Sequence, residues 1–285
     1  TRLQGDWSSD VCSSDLSVID EDSFLPSLGV NWFVNDSHQL RLGLSQTVAR
    51  PDFKEAANAT FYDNEFNFRV RGNPFLEISD IINADLRWEW YLSEIDSLSI
   101  ALFYKDMDKP IERVVQAASG TAGNSRTFQN AESAELYGIE VDGRFEFMLG
   151  DGYDQTLFVS FNAALIESEV AAKNQDARAL QGQPEYTANL IFGYDNISDG
   201  HQLTILLNQN GRSIADVGVS GQPDVFLEPR LDLNIVYRFD ISDSVTLKAK
   251  LENLLDDEVE YSQGGQIFQI YNRGASVQLG VDWQF

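Results

Sequence analysis

The stretch Gly274 to Phe285 reads GASVQLGVDWQF. Side chains of an extended strand alternate between two faces, which puts Ala275, Val277, Leu279, Val281, Trp283 and Phe285 on one side and Ser276, Gln278, Gly280, Asp282 and Gln284 on the other. One face is apolar and the other polar. A soluble sandwich shows the same alternation, but here the apolar face ends in two aromatics. A strand with lipid on one side and a water-filled lumen on the other satisfies the pattern as well.

The same period-two pattern recurs along the chain. Leu28, Val30, Trp32 and Val34 alternate within Phe24–Val34, and Leu40, Leu42 and Leu44 within His38–Val48; the tight polar turn between them makes a hairpin. Further strands are expected over Asp80–Leu92, Ser97–Val115, Phe128–Met148, Gln155–Ile166, Pro184–Tyr194, His201–Gln209, Pro229–Phe239 and Val245–Leu254. With the final strand this gives about eleven. Several polar faces carry a charge at every second position, as in Asn83, Asp85, Arg87 and Glu89. That is costly in a packed core and cheap against water.

The connections alternate between short turns and long polar loops, the loops being Ala49–Ser79, Gln116–Arg126, Glu167–Gln183, Asn210–Glu228 and Leu255–Ile270. In outer-membrane barrels short turns face the periplasm and long loops face outward, so the pattern also orients the chain. Bacterial single-chain barrels have even strand numbers. An odd count ending on the periplasmic side is expected of a piece that begins midway through a barrel.

Composition narrows the alternatives. Twenty Lys plus Arg against forty-five Asp plus Glu give a formal net charge of −25, which argues against a nucleic-acid partner. No apolar run is long enough for a transmembrane helix, so a membrane crossing would use strands. The chain holds eighteen Phe, ten Tyr and five Trp. Strands running toward the proposed periplasmic side end in outward aromatics: Trp32; Trp88 and Trp90; Phe145 and Phe147; Phe192 and Tyr194; Tyr237 and Phe239; Trp283 and Phe285. Tyr137, Tyr186 and Tyr271 mark the opposite ends, giving two interfacial belts.

Residues 5–16, GDWSSDVCSSDL, resemble the in-frame translation of a common sequencing adapter and hold the single cysteine, Cys12. Residues 1–16 are therefore expected to be non-native sequence, and residues 17–285 the protein proper.

Several short strings, in order, resemble the C-terminal half of TonB-dependent receptors. They are Leu25-Pro26-Ser27-Leu28, Arg50-Pro51, Gly72-Asn73-Pro74, Asn83-Ala84-Asp85-Leu86, Asn130 with Gly138-Ile139-Glu140-Val141, Asn253-Leu254-Leu255-Asp256, and the terminal Phe285. One departure is Val259, with Tyr261 after it, where the family commonly places an aromatic. The resemblance implies an all-β, antiparallel up-and-down transmembrane β-barrel, of which this chain supplies about half the strands. It implies contact with outer-membrane lipid and lipopolysaccharide, and with the barrel-assembly machinery through Phe285. Uptake of a scarce solute such as an iron chelate, vitamin or carbohydrate would need the TonB complex, reached only through an N-terminal plug absent from this stretch, so the piece alone should not transport. Alternatives are a non-energised porin or adhesin barrel, and a soluble all-β carbohydrate-binding protein.

No catalytic constellation or cofactor motif is present. His38 and His201 lie beside periplasmic turns, where solvation by the turn accounts for them. The acidic runs Asp256-Asp257-Glu258 and Gly150-Asp151-Gly152-Tyr153-Asp154 lack regular metal-ligand spacing. The candidate ligand surface is the long outer loop with Phe61, Tyr62, Phe66, Phe68, Arg69 and Arg71, since aromatics beside arginines suit sugars or anionic chelates. A loop packed on itself or on a plug would read the same way.

Overall fold

The computed structural model describes residues 22–63, 68–117, 124–150, 154–172 and 176–284. The chain runs through β1 (Ser27–Asn35), β2 (His38–Ala49), a single helical turn α1 (Phe53–Ala56), β3 (Thr60–Asp63), β4 (Phe68–Arg71), β5 (Ser79–Tyr91) and β6 (Ser97–Asp108). It continues through β7 (Ile111–Ala117), β8 (Asn124–Asn130), β9 (Ser133–Leu149), β10 (Gln155–Ala171), β11 (Tyr186–Asn196) and β12 (His201–Asn210). The last elements are β13 (Ser213–Gly218), β14 (Val225–Leu227), β15 (Arg230–Ser242), β16 (Val245–Glu252), β17 (Val259–Gln263), β18 (Gln266–Tyr271) and β19 (Ser276–Trp283).

Eleven strands form one antiparallel wall in the order β1-β2-β5-β6-β9-β10-β11-β12-β15-β16-β19. The order rises monotonically along the chain, which is an up-and-down meander with the expected number of strands. Short turns supply their own backbone partners: Asn35 Oδ1 accepts from the N–H groups of Ser37 and His38, and Ser93 Oγ accepts from those of Ile95 and Asp96. These are the local bonds that favour Asn and Ser at tight turns.

Register keeps the apolar parity together across the wall. Val30, Leu42, Leu86, Leu102, Ile139 and Leu165 lie opposite one another in turn, as do Leu157, Tyr194, Leu203, Tyr237, Ala249 and Leu279. A slip of one residue anywhere would break these rows. The burial is inside out relative to a soluble sheet. Leu86, Leu102 and Leu165 are 44%, 50% and 65% exposed, while Gln39, Glu89 and Ser99 on the opposite face are 5%, 8% and 4% exposed. Among the described residues no second layer covers the apolar side, as a soluble sandwich would require; the burial is that of a transmembrane barrel wall.

On the polar face, Glu89 receives Arg41 and Arg87 at 3.1 Å each. Arg87 reaches on to Asp142 at 2.7 Å, and Ser99 donates to the same carboxylate. Most of the buried apolar residues lie outside the wall proper. Val114, Ile214 and Val217 cluster in the outer connections, and Met107, Ala131, Ala134, Leu136 and Val170 lie beneath them.

Those connections depart from the loop expectation. Eight strands in the order β18-β17-β14-β13-β7-β8-β4-β3 pair into a second sheet, an outer cap. Two of its joins are parallel, β4 with β8 and β7 with β13. The stretches expected as single strands over 97–115 and 128–148 are also interrupted. Lys109 adopts φ 53° before Pro110, which interrupts the chain between β6 and β7 and turns it out of the wall.

Aromatics gather at the turn ends of the wall strands, and the two histidines pack among them. Trp32, Phe147 and Trp283 are 61%, 55% and 71% exposed at the turn ends of their strands, and Trp90, Phe192 and Tyr237 accompany them; Phe145 instead stacks on Phe161. His38 stacks on both Trp88 and Trp90 at 5.7 Å. His201 stacks on Phe239 at 4.4 Å, and its Nδ1 lies 2.7 Å from the Tyr237 hydroxyl. Cross-strand aromatic packing, more than turn solvation, accounts for both histidines. Phe285 and the adapter-like residues 5–16 lie outside the described residues.

Candidate functional site

β3 and β4 form an antiparallel hairpin that pairs Thr60 with Arg71, Phe61 with Val70, Tyr62 with Arg69, and Asp63 with Phe68. Strand alternation splits the expected ligand set. Tyr62, Arg69 and Arg71 share the exposed face, while Phe61 and Phe68 are half-buried on the other. There the Arg126 guanidinium lies 3.9 Å over the Phe68 ring, so Phe68 supports the cap. Phe66 lies outside the described residues.

The hairpin is anchored by its stem. Asp52 and Glu55 close a capping box on α1, satisfying N–H groups that the short turn leaves open. Gly72 passes so close to α1 that a Cβ would lie 2.1 Å from the Ala57 carbonyl oxygen. Asn73 donates to the Phe128 carbonyl at 2.9 Å and accepts from the Phe75 N–H, which ties the stem to β8.

Electrostatics favours the exposed face as an anion surface. The ion pairs among the described residues engage none of Arg50, Lys54, Arg69 and Arg71. All four are exposed on the 49–79 connection. Arg69 and Arg71, two apart on one strand, present guanidiniums about 7 Å apart at their roots. Uncommitted cations on a chain of net charge −25 are the exception. By contrast, the 530 Å³ cleft beside the outer end of β10 is lined by Glu135, Glu167, Glu169, Glu185 and Asp224, and its two arginines, Arg178 and Arg212, are already paired with Glu112 and Glu228, an unsuitable bed for an anion.

The cap also holds a buried ionic knot that the sequence reading missed. Asp216 accepts from Arg126 at 2.5 Å and from Arg113, and Glu112 accepts two bonds from Arg178 at 2.7 and 2.5 Å. Asp216 and Glu112 side chains are 0% exposed and Arg126 is 1%. Burial pushes the Arg126 guanidinium below its ordinary value, and Asp216 beside it pulls the other way. The partners are 66 to 103 residues apart, so no local spacing announces them.

The asparagines in the family-like strings brace the joints between wall and cap. Asn130 bonds the Glu77 and Lys109 carbonyls and accepts from the Glu77 N–H. Asn253, at φ 50°, donates to the Gly274 carbonyl. Of the acidic run beside it, Asp257 accepts from the Leu231 N–H at 2.7 Å and Glu258 from Asn272; residues 151–153 of the other run lie outside the described residues.

The model of the family "TonB dependent receptor-like, beta-barrel" matches residues 4–254. The iron-regulated outer membrane virulence proteins of two Vibrio cholerae strains are each 26% identical over 226 residues, covering 76% of this chain and 32% of theirs. The chain thus spans about a third of the length of these curated relatives. Among solved structures, the siderophore receptor PirA of Acinetobacter baumannii superposes with a TM-score of 0.61 at 18% identity, over 92% of this chain and 41% of that one. The FrpB iron transporter of Neisseria meningitidis gives 0.60 at 12% identity, over 92% and 39%. With the wall exposing an apolar band, the polar face turned inward and the outer connections folded as a cap, the porin, adhesin and soluble alternatives give way: this chain belongs to the TonB-dependent receptor β-barrel family of the bacterial outer membrane.

Proposed function

We propose that this chain forms the wall and outer cap of a TonB-dependent transporter that takes up an anionic metal chelate, with iron chelates the leading class. The observation that carries the reading is the exposed hairpin face on which Arg69 and Arg71 stand beside Tyr62, free of ion pairs. Paired guanidiniums next to an aromatic suit a flat or polydentate anion. The names of the relatives, an iron-regulated outer-membrane protein and a siderophore receptor, point to the same solute class. Residues 17–285 would be the C-terminal half of the barrel. The plug, and through it the TonB complex, would belong to the remainder of the receptor, and Phe285 would be read by the barrel-assembly machinery.

The test is uptake by the complete receptor from a panel of ferric chelates at limiting concentration. The double substitution Arg69→Ala with Arg71→Ala should lower uptake of the anionic members by about tenfold or more, since each lost charge-assisted contact is worth roughly 1.5–3 kcal/mol. Uptake of neutral solutes should be unaffected. Equal uptake of anionic chelates by parent and double variant would remove this assignment.

A further inference from the structure

The outer cap consists of two leaves that rise from different sectors of the wall. One contains β3, β4, β8 and β7, and the other β13, β14, β17 and β18. β7 continues from β6, fourth in the wall, whereas β13 continues from β12, eighth in the wall, with β9, β10 and β11 between them. Among the described residues the two leaves share one strand join, where β7 lies parallel to β13. That seam has two residue pairs, Val114 with Val217 and Val115 with Gly218, extended by one bond from the Val219 N–H to the Val115 carbonyl at 3.1 Å. The other joins within the cap connect strands that rise closer together in the wall, so their bases hold them whatever happens above.

Side chains hold the seam shut. Asp216 on β13 takes Arg113 and Arg126 from the opposite leaf. Gln181, in the connection between β10 and β11, straps both leaves: it accepts from the Arg113 N–H at 2.6 Å and donates to the carbonyls of Arg113 at 2.9 Å and Ala215 at 2.7 Å. Arg178 from the same connection holds Glu112. Polar fastening of this kind has a specific consequence. Parting the leaves returns three buried or half-buried ions to water, and recovered hydration offsets much of the lost Coulomb attraction. The apolar contact of Val114 with Ile214 and Val217 across the same seam is lost without such an offset, so the polar bonds are the part of the fastening that water can replace.

We propose that the β7/β13 seam is the line along which the cap opens, with Asp216 and Gln181 as its latch. The leaves swing apart as units over the lumen, and the outer end of the barrel becomes accessible between them. Solute passage through the opening rests on the transporter reading, but the opening itself does not and can be measured without a solute.

Val217 is fully buried at the seam, and Val170 is equally buried away from it, in the cluster under the cap. In the complete receptor on intact cells, with other thiols blocked, Val217→Cys should react slowly with a membrane-impermeant maleimide. Adding Asp216→Asn, or separately Gln181→Ala, should speed that reaction by about tenfold, as a rise in the open population requires. Val170→Cys should react at one slow rate in all three backgrounds. Unchanged Val217→Cys labelling in both latch variants would overturn the proposal, because the seam then does not open. Equal acceleration of Val170→Cys would also overturn it, because the cap would then be loosening as a whole. Either failure leaves the assignment of the anion surface untouched.

Discussion

Arg126 and Asp216, ninety residues apart in the chain, form an ion pair at 2.5 Å with side chains 1% and 0% exposed. Such a pair is finely balanced while intact, since desolvation cancels much of the attraction, but losing one partner strands a charge in the interior. Asp216→Ala should therefore destabilise the cap by about 3–5 kcal/mol, with Arg113, already 31% exposed, turning to water. Replacing both partners with apolar residues, Arg126→Met and Asp216→Leu, should recover most of that loss. Protease digestion of the outer surface on intact cells is the measurement. Rapid cleavage is expected in the single variant and slower cleavage in the double one, while the wall stays inserted in both.

Gly138 on β9 has no room for a side chain. A Cβ there would lie 2.4 Å from the Leu165 carbonyl oxygen of β10 and 2.5 Å from the Phe103 ring. The ring could move, but the carbonyl belongs to the β9/β10 ladder. Gly138→Val should thus displace the ladder and cost about 1–3 kcal/mol by overpacking. Gly43→Val, on the internal strand β2 with nothing nearer than the Asp85 side chain at 3.7 Å, should cost much less. Denaturant unfolding of the two purified variants in detergent, monitored by tryptophan fluorescence, would rank them; equal midpoints would contradict the crowding at Gly138.

The wall was legible because one rule, alternation, acts on every residue, and Leu40, Leu42 and Leu44 announce a face without reference to anything distant. The cap was not. β7 pairs with β13 across 103 residues, Val114 to Val217, and Arg113 finds Asp216 over the same span. Nothing near Arg126 in sequence marks it as a residue to be buried. The histidines show the same limit on a smaller scale. His38 was visible as a residue next to a turn, but its place beside Trp90 depends on the register between β2 and β5. The hairpin proposed to face the solute was half legible: its residues were read as one loop, and the division of Tyr62, Arg69 and Arg71 from Phe61 and Phe68 follows from alternation once β3 and β4 are recognised as strands. The mixed composition of that long connection, and strands of four residues each, hid them.

Leu102 and Ala101 are neighbours on β6 that face opposite media. Leu102 is half exposed in the apolar row between Leu86 and Ile139, whereas Ala101 lies on the polar face between Arg87 and Glu140. Arginine at the first position would stand in hydrocarbon near the middle of the membrane, where it costs about 2–4 kcal/mol. At the second it would enter an aqueous lumen with the Glu140 carboxylate on one side and Arg87, itself paired with Asp142, on the other, so water and the carboxylate offset the like charge. Leu102→Arg should therefore deplete folded receptor in the outer membrane, seen as a loss of the fast-migrating form in unheated electrophoresis, and Ala101→Arg should leave that form near the parent amount. The pair shares strand, residue introduced and depth to within one position, so strand propensity and net charge cancel in the comparison. Only the identity of the medium on each face remains, and equal depletion by both substitutions would mean that the apolar side of this wall does not meet lipid.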